Sequence, residues 1–125
     1  MASIIIVESN DGVRELLVDF FSNPFYGGHQ VTTFTSAEKA ESFLSGGNPT
    51  PDIAIVANRL PKKRGAEFIP ELKRNHPSVA VIFISGLWEK AVIPGITAFF
   101  RKPLNLKEML ATVKRIMALK RRHAP

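Results

Sequence analysis

The stretch Ile4-Ile5-Ile6-Val7-Glu8-Ser9-Asn10-Asp11-Gly12-Val13-Arg14-Glu15-Leu16-Leu17 decides how this 125-residue chain is read. Four consecutive β-branched apolar residues make a strand covered on both faces. Asn10 or Asp11 then serves as the N-cap of a helix. Val13, Leu16, Leu17, Phe20 and Phe21 recur at helical spacing and predict one buried stripe. A buried strand leading directly into an amphipathic helix is one unit of a parallel α/β sheet.

The same alternation continues outward from this unit. A second strand is predicted at Gln30–Phe34, after the breaks Asn23-Pro24 and Gly27-Gly28. The next helix is capped by Thr35 with Glu38, or by Ser36, and turns Ala37, Ala40, Phe43 and Leu44 inward. Ile53–Val56 is a third apolar strand, and a loop from Asn58 to Gly65 leads to a helix buried through Phe68, Ile69 and Leu72. Proline fits only the first turn of a helix, so Pro70 predicts a late start or a kink there. Val79–Ile84 and Thr97–Phe100 supply the fourth and fifth strands. The terminal helix is capped by Asn105 with Glu108 three residues on, and Leu106, Met109, Leu110, Val113, Ile116 and Met117 form its inner face. The expected architecture is α/β, a doubly wound five-stranded parallel sheet over residues 1–119, followed by a basic tail at 120–125. Sites in such sheets lie outside the carboxyl ends of the strands.

Composition narrows the function classes. There is no cysteine, which removes disulfides, thiolate catalysis and cysteine-held zinc. His29, His76 and His123 share no ligand spacing, so no metal site is expected. No apolar run approaches the roughly 18–20 residues that cross a bilayer. The four-residue apolar start has no basic region before it and is not a signal peptide. A cytoplasmic protein with no membrane partner is expected. Of the net charge of +6, the excess lies in residues 101–125, where eight Lys/Arg face one acid, Glu108.

Glu8 and Ser9 follow the first strand, Ala57 and Asn58 the third, Ser85 and Gly86 the fourth, Lys102 and Pro103 the fifth. In this order and spacing the chain resembles the receiver domain of bacterial two-component response regulators over essentially its full length. Residues 4–17 are similar to that family's opening strand, acidic pair and first helix. Pro51-Asp52-Ile53-Ala54-Ile55-Val56-Ala57-Asn58-Arg59-Leu60-Pro61, with Gly65 four residues on, is similar to its central strand and loop. Ser85 falls at the family's hydroxyl position, Lys102-Pro103 at its lysine and proline, and Phe99 at its switch aromatic. The resemblance implies the flavodoxin-like strand order 2-1-3-4-5.

The departures from the family carry the functional expectation. The phosphoacceptor aspartate falls on Ala57, and a methyl group cannot attack phosphorus. The acidic pair falls on Glu8 and Ser9, so a second carboxylate is lost. Magnesium demands oxygen ligands, carboxylates above all, and no magnesium or other cofactor is expected. Asp52 cannot substitute, lying five residues and ~16 Å back along the strand. Ser85 and Lys102 read either as a remnant anion site or as a structural pair, with Lys102 on Glu8 and Ser85 on backbone. Seventeen positions separate Ser85 from Lys102, so the family's fourth helix is shortened here. Phe99 then packs against the core or the sheet edge, with no switch to obey. Trp88 on the short segment is either an interface anchor or a cover for the core.

The function expected is a phosphorylation-independent receiver, a pseudo-receiver, that signals through contacts with a protein partner or with itself as a homodimer. Trp88, Lys107, Lys114 and Arg115 are its candidate interaction face, although charges on a helix are more often simply solvated. The alternative is a nucleic-acid-binding module using the basic terminal helix with Lys62-Lys63-Arg64. No aromatic residue interleaves these bases and no nucleic-acid motif is present. An enzyme is not expected, because no nucleophile has a base and no glycine-rich phosphate loop occurs. Lys120–Pro125 reads equally as a natural end or as the start of a linker to an effector domain.

Overall fold

The computed structural model describes residues 1–86 and 93–122. Five parallel strands, β1 (Ser3–Val7), β2 (Gln30–Phe34), β3 (Ile53–Ala57), β4 (Ala80–Ser85) and β5 (Ala98–Arg101), form a single sheet in the order β2-β1-β3-β4-β5. Four α-helices are described: α1 (Asp11–Ser22), α2 (Ala37–Ser45), α3 (Gly65–Asn75) and α4 (Leu106–Arg122). A short 3₁₀ turn, Pro24–Tyr26, stands between α1 and β2. Trp88 and the expected shortened helix fall on residues 87–92, which lie outside the described residues, as do 123–125. Helix α4 includes Lys120, Arg121 and Arg122, the first half of the expected tail.

The three central strands are the most apolar because helices cover both of their faces. All five residues of β3 are buried, as are Ile4–Val7 of β1 and Val81–Ser85 of β4. Phe21 from α1, Phe68 and Ile69 from α3, and Met109 and Val113 from α4 close over them with no exposed surface. Each such side chain contributes about 1.5–3 kcal/mol by leaving water.

Several local expectations shift. Asn10 caps α1, its side chain accepting from Val13 N–H at 2.9 Å. Ser36, not Thr35, caps α2 by accepting from Lys39 N–H. Leu16 is 49% exposed instead of buried. At about 100° per residue it lies a quarter-turn from Leu17, whereas Val13 and Phe21 flank Leu17 closely. Helix α3 begins at Gly65 and runs through Pro70 without a late start, so Pro70 sits in its second turn. The missing proline N–H leaves the helix one bond short, and the burial of Phe68, Ile69 and Leu72 holds it in place.

His29 ties the start of β1 to the start of β2. Its Nδ1 accepts from Ala2 N–H at 2.9 Å, and Gln30 N–H donates to the Ala2 carbonyl at 3.0 Å. Burial lowers the His29 pKa below 6.5, helped by the N-terminal ammonium and Lys114. On acidification the unfolded chain therefore takes up this proton first. Stability is complete above the unfolded pKa and falls as pH drops below it. Urea unfolding at pH ~7.5 and ~5.5 should show a loss at the lower pH that is smaller in His29→Gln. An equal loss in both proteins would exclude His29 as its source.

Candidate functional site

Register places the strand ends side by side. Val7 lies opposite Val56, Ala57 opposite Ile84, and Ser85 opposite Arg101. The residues that follow form a pocket of about 410 Å³ lined by Glu8, Ser9, Asn10, Asn58, Arg59, Ile84, Ser85, Gly86 and Lys102. Four of the five pocket residues named from sequence, Glu8, Ser9, Ser85 and Lys102, line it. Ala57 is buried at the end of β3, immediately before the lining residue Asn58.

Glu8 is 1% exposed and its carboxylate is engaged within the protein. Oε1 accepts from Lys102 Nζ at 2.6 Å, and Oε2 accepts from Asn10 N–H at 3.3 Å. Arg14 donates to the Glu8 carbonyl, fastening α1 to the end of β1. Ser9 donates its hydroxyl to the Arg59 carbonyl at 2.9 Å, joining the β1–α1 and β3–α3 loops. The backbone N–H of Lys102 donates to the Ser85 carbonyl at 2.9 Å.

Asn58 has a role that sequence reasoning missed. It is buried, its carbonyl accepts from Gly65 N–H at 2.9 Å, and its Oδ1 accepts from Ala66 N–H at 3.2 Å. Arg64 occupies the N-cap position of α3 without a side-chain bond, so Asn58 satisfies an orphan N–H from eight residues upstream. The available signal was an amide-bearing residue just after a buried strand. Its distance from the helix hid the capping role.

The donor set does not suit a magnesium ion. Among the pocket residues Glu8 is the only acid, and Lys102 already occupies one of its oxygens. A hard, strongly hydrated cation would have to displace that ammonium and would then find a single carboxylate.

The other expected residues lie elsewhere. Phe99 is 41% exposed on β5, its ring 5.7 Å from that of Phe83. It packs along the sheet edge and not within the core. Lys107, Lys114 and Arg115 are exposed on α4, and Trp88 is outside the described residues. Lys63 sits between Glu41 at 3.1 Å and Glu71 at 2.7 Å. Bonds to those two carboxylates raise its pKa, and the bond from Lys63 lowers that of Glu71. This neutralised lysine weakens the basic loop expected at Lys62-Lys63-Arg64.

The profile of the response regulator receiver domain matches residues 4–114. The chain belongs to the response regulator receiver domain family. This receiver domain is 31% identical to the transcriptional regulatory protein CssR of Bacillus subtilis over 130 residues, covering 98% of the chain and 54% of CssR. It is 29% identical to the sensor kinase CckA of Brucella abortus, covering 93% of the chain and 12% of that protein. The chain thus spans about half or less of these relatives. A receiver domain protein of Clostridium thermocellum superposes with a TM-score of 0.87 at 19% identity, covering 99% of this chain and 100% of that one. That likeness establishes the shared fold.

Proposed function

We propose that this receiver domain transmits signals through protein contacts without accepting a phosphoryl group. The observation that carries the reading is Ala57, a methyl side chain at the end of the central strand where the family's nucleophilic aspartate falls. No carboxylate oxygen stands there to attack phosphorus. The Glu8–Lys102 bond across the pocket fits the same reading, since it consumes the charges that would otherwise hold a metal and a phosphoryl group.

Incubation with a small phosphodonor and magnesium should leave the intact mass unchanged. A phosphoryl adduct on any aspartate would overturn the proposal. Ala57→Asp alone should still label poorly, because Ser9 supplies no second carboxylate and Glu8 remains paired with Lys102. Fast magnesium-dependent labelling of that variant would show that the pocket needs only the nucleophile. Partner binding, followed with the protein purified from cells, should be the same before and after phosphodonor treatment.

A further inference from the structure

We propose that the end of the domain opposite the Glu8–Lys102 pocket docks peripherally on an anionic lipid surface. The proposal does not depend on whether Ala57 has ended phosphoryl chemistry. Two independent features meet at this end, where the strands begin.

The first is a cluster of cations. Lys73 and Arg74 lie in the last turn of α3, and Lys120, Arg121 and Arg122 in the last turn of α4. Both helices converge on the turn before β4. Lys73 Nζ donates to the carbonyls of Pro77 and Val79, and Lys120 Nζ donates to that of Ser78. Burial, and then the positive charge of Lys120, lower the Lys73 pKa, consistent with this crowding. Among the described residues no acid forms an ion pair with any of the five. Asp52 at this end accepts from Ser3 N–H at 2.9 Å, and Glu71, one turn before Arg74 on α3, lies within electrostatic reach of Arg74 while its carboxylate is bonded to Lys63.

The second feature is exposed apolar surface. Met1 is 82% exposed, Phe25 87% and Leu119 47%. Phe25 is held outward by an ordered turn, since Asn23 Oδ1 accepts from its N–H at 2.8 Å and Tyr26 packs against its ring at 5.5 Å. These groups share one edge of the sheet. Phe25 precedes β2, Met1 precedes β1, and the lysine-bound turn precedes β4. Three strand spacings, about 15 Å, separate the extremes.

Cations and outward apolar side chains at one end of the sheet match a bilayer interface, where headgroups meet the charges and the acyl boundary takes up the apolar groups. Duplex nucleic acid would satisfy the charges but offer nothing to Met1, Phe25 and Leu119. The expectation of no membrane partner rested on the lack of a spanning segment. No helix among the described residues is long and apolar enough to cross a membrane, but a peripheral contact requires none.

The test is co-sedimentation with vesicles of roughly one part phosphatidylglycerol to two parts phosphatidylcholine, beside pure phosphatidylcholine vesicles and duplex DNA. Binding should occur to the anionic vesicles alone and weaken with salt. Replacing both Arg121 and Arg122 by Ala should lower partitioning on the order of 10-fold, and Phe25→Ser should lower it by a similar factor of about 10. Both changes are at exposed positions, and circular dichroism checks that the fold is kept. No binding to anionic vesicles, equal binding to neutral ones, binding to DNA in preference to vesicles, or indifference to Phe25→Ser each overturns the proposal.

Discussion

Gly65→Ala is expected to destabilise the domain by about 3 kcal/mol or more, at the upper end of what overpacking costs. A Cβ at residue 65 would stand 2.2 Å from the Ala57 carbonyl oxygen and 3.0 Å from the Asn58 Cα. Both obstacles are backbone and cannot rotate away. Moving α3 outward would stretch the Gly65 N–H bond to the Asn58 carbonyl and the Ala66 N–H bond to Asn58 Oδ1 together. It would also lift Phe68 and Ile69 from the core. Gly12→Ala is the control, because its Cβ would meet only Asn10 Oδ1 at an ordinary 3.5 Å. That change should be neutral or stabilise by up to about 1 kcal/mol through helix propensity. Chemical denaturation of the two variants should separate them clearly. Equal stabilities would mean that the β3–α3 loop yields far more readily than its bonds imply.

The same contact shows which parts of this fold could be read from the sequence. Runs such as Ile4–Val7 and Ile53–Val56 were unmistakable because strands covered on both faces carry little but apolar β-branched residues. Strand order was legible only through the resemblance that Glu8, Ala57, Ser85 and Lys102 carry together. The lining of the pocket was partly legible, because strand ends fix which residues gather there. What escaped were side chains whose roles depend on distant backbone. Asn58 caps a helix that begins seven residues later, and Ser9 reaches a carbonyl 50 positions away. Leu16 looked buried, and Phe99 fitted either the core or the sheet edge, because hydrophobic patterning identifies a face and not its edges. Both sit at edges, one on α1 and one on the outermost strand.

Lys102→Met should destabilise the domain by about 2–4 kcal/mol, somewhat below the usual cost of breaking a fully buried pair. Glu8 is 1% exposed at its side chain while Lys102 is 26% exposed, so water screens one partner and not the other. Removing the ammonium leaves the carboxylate with the Asn10 N–H at 3.3 Å as its remaining side-chain bond. Glu8→Gln should cost less, since a neutral amide is cheaper to bury than an unpaired charge. The double variant Glu8→Gln/Lys102→Met should therefore recover part of the loss seen with Lys102→Met alone. Its coupling energy separates two accounts of the pair. A large coupling means that Lys102 principally compensates Glu8, the outcome that the proposed phosphorylation-independent reading expects. Additive effects would show that Lys102 acts independently of Glu8, and the pocket would then still have a charge to offer an anion.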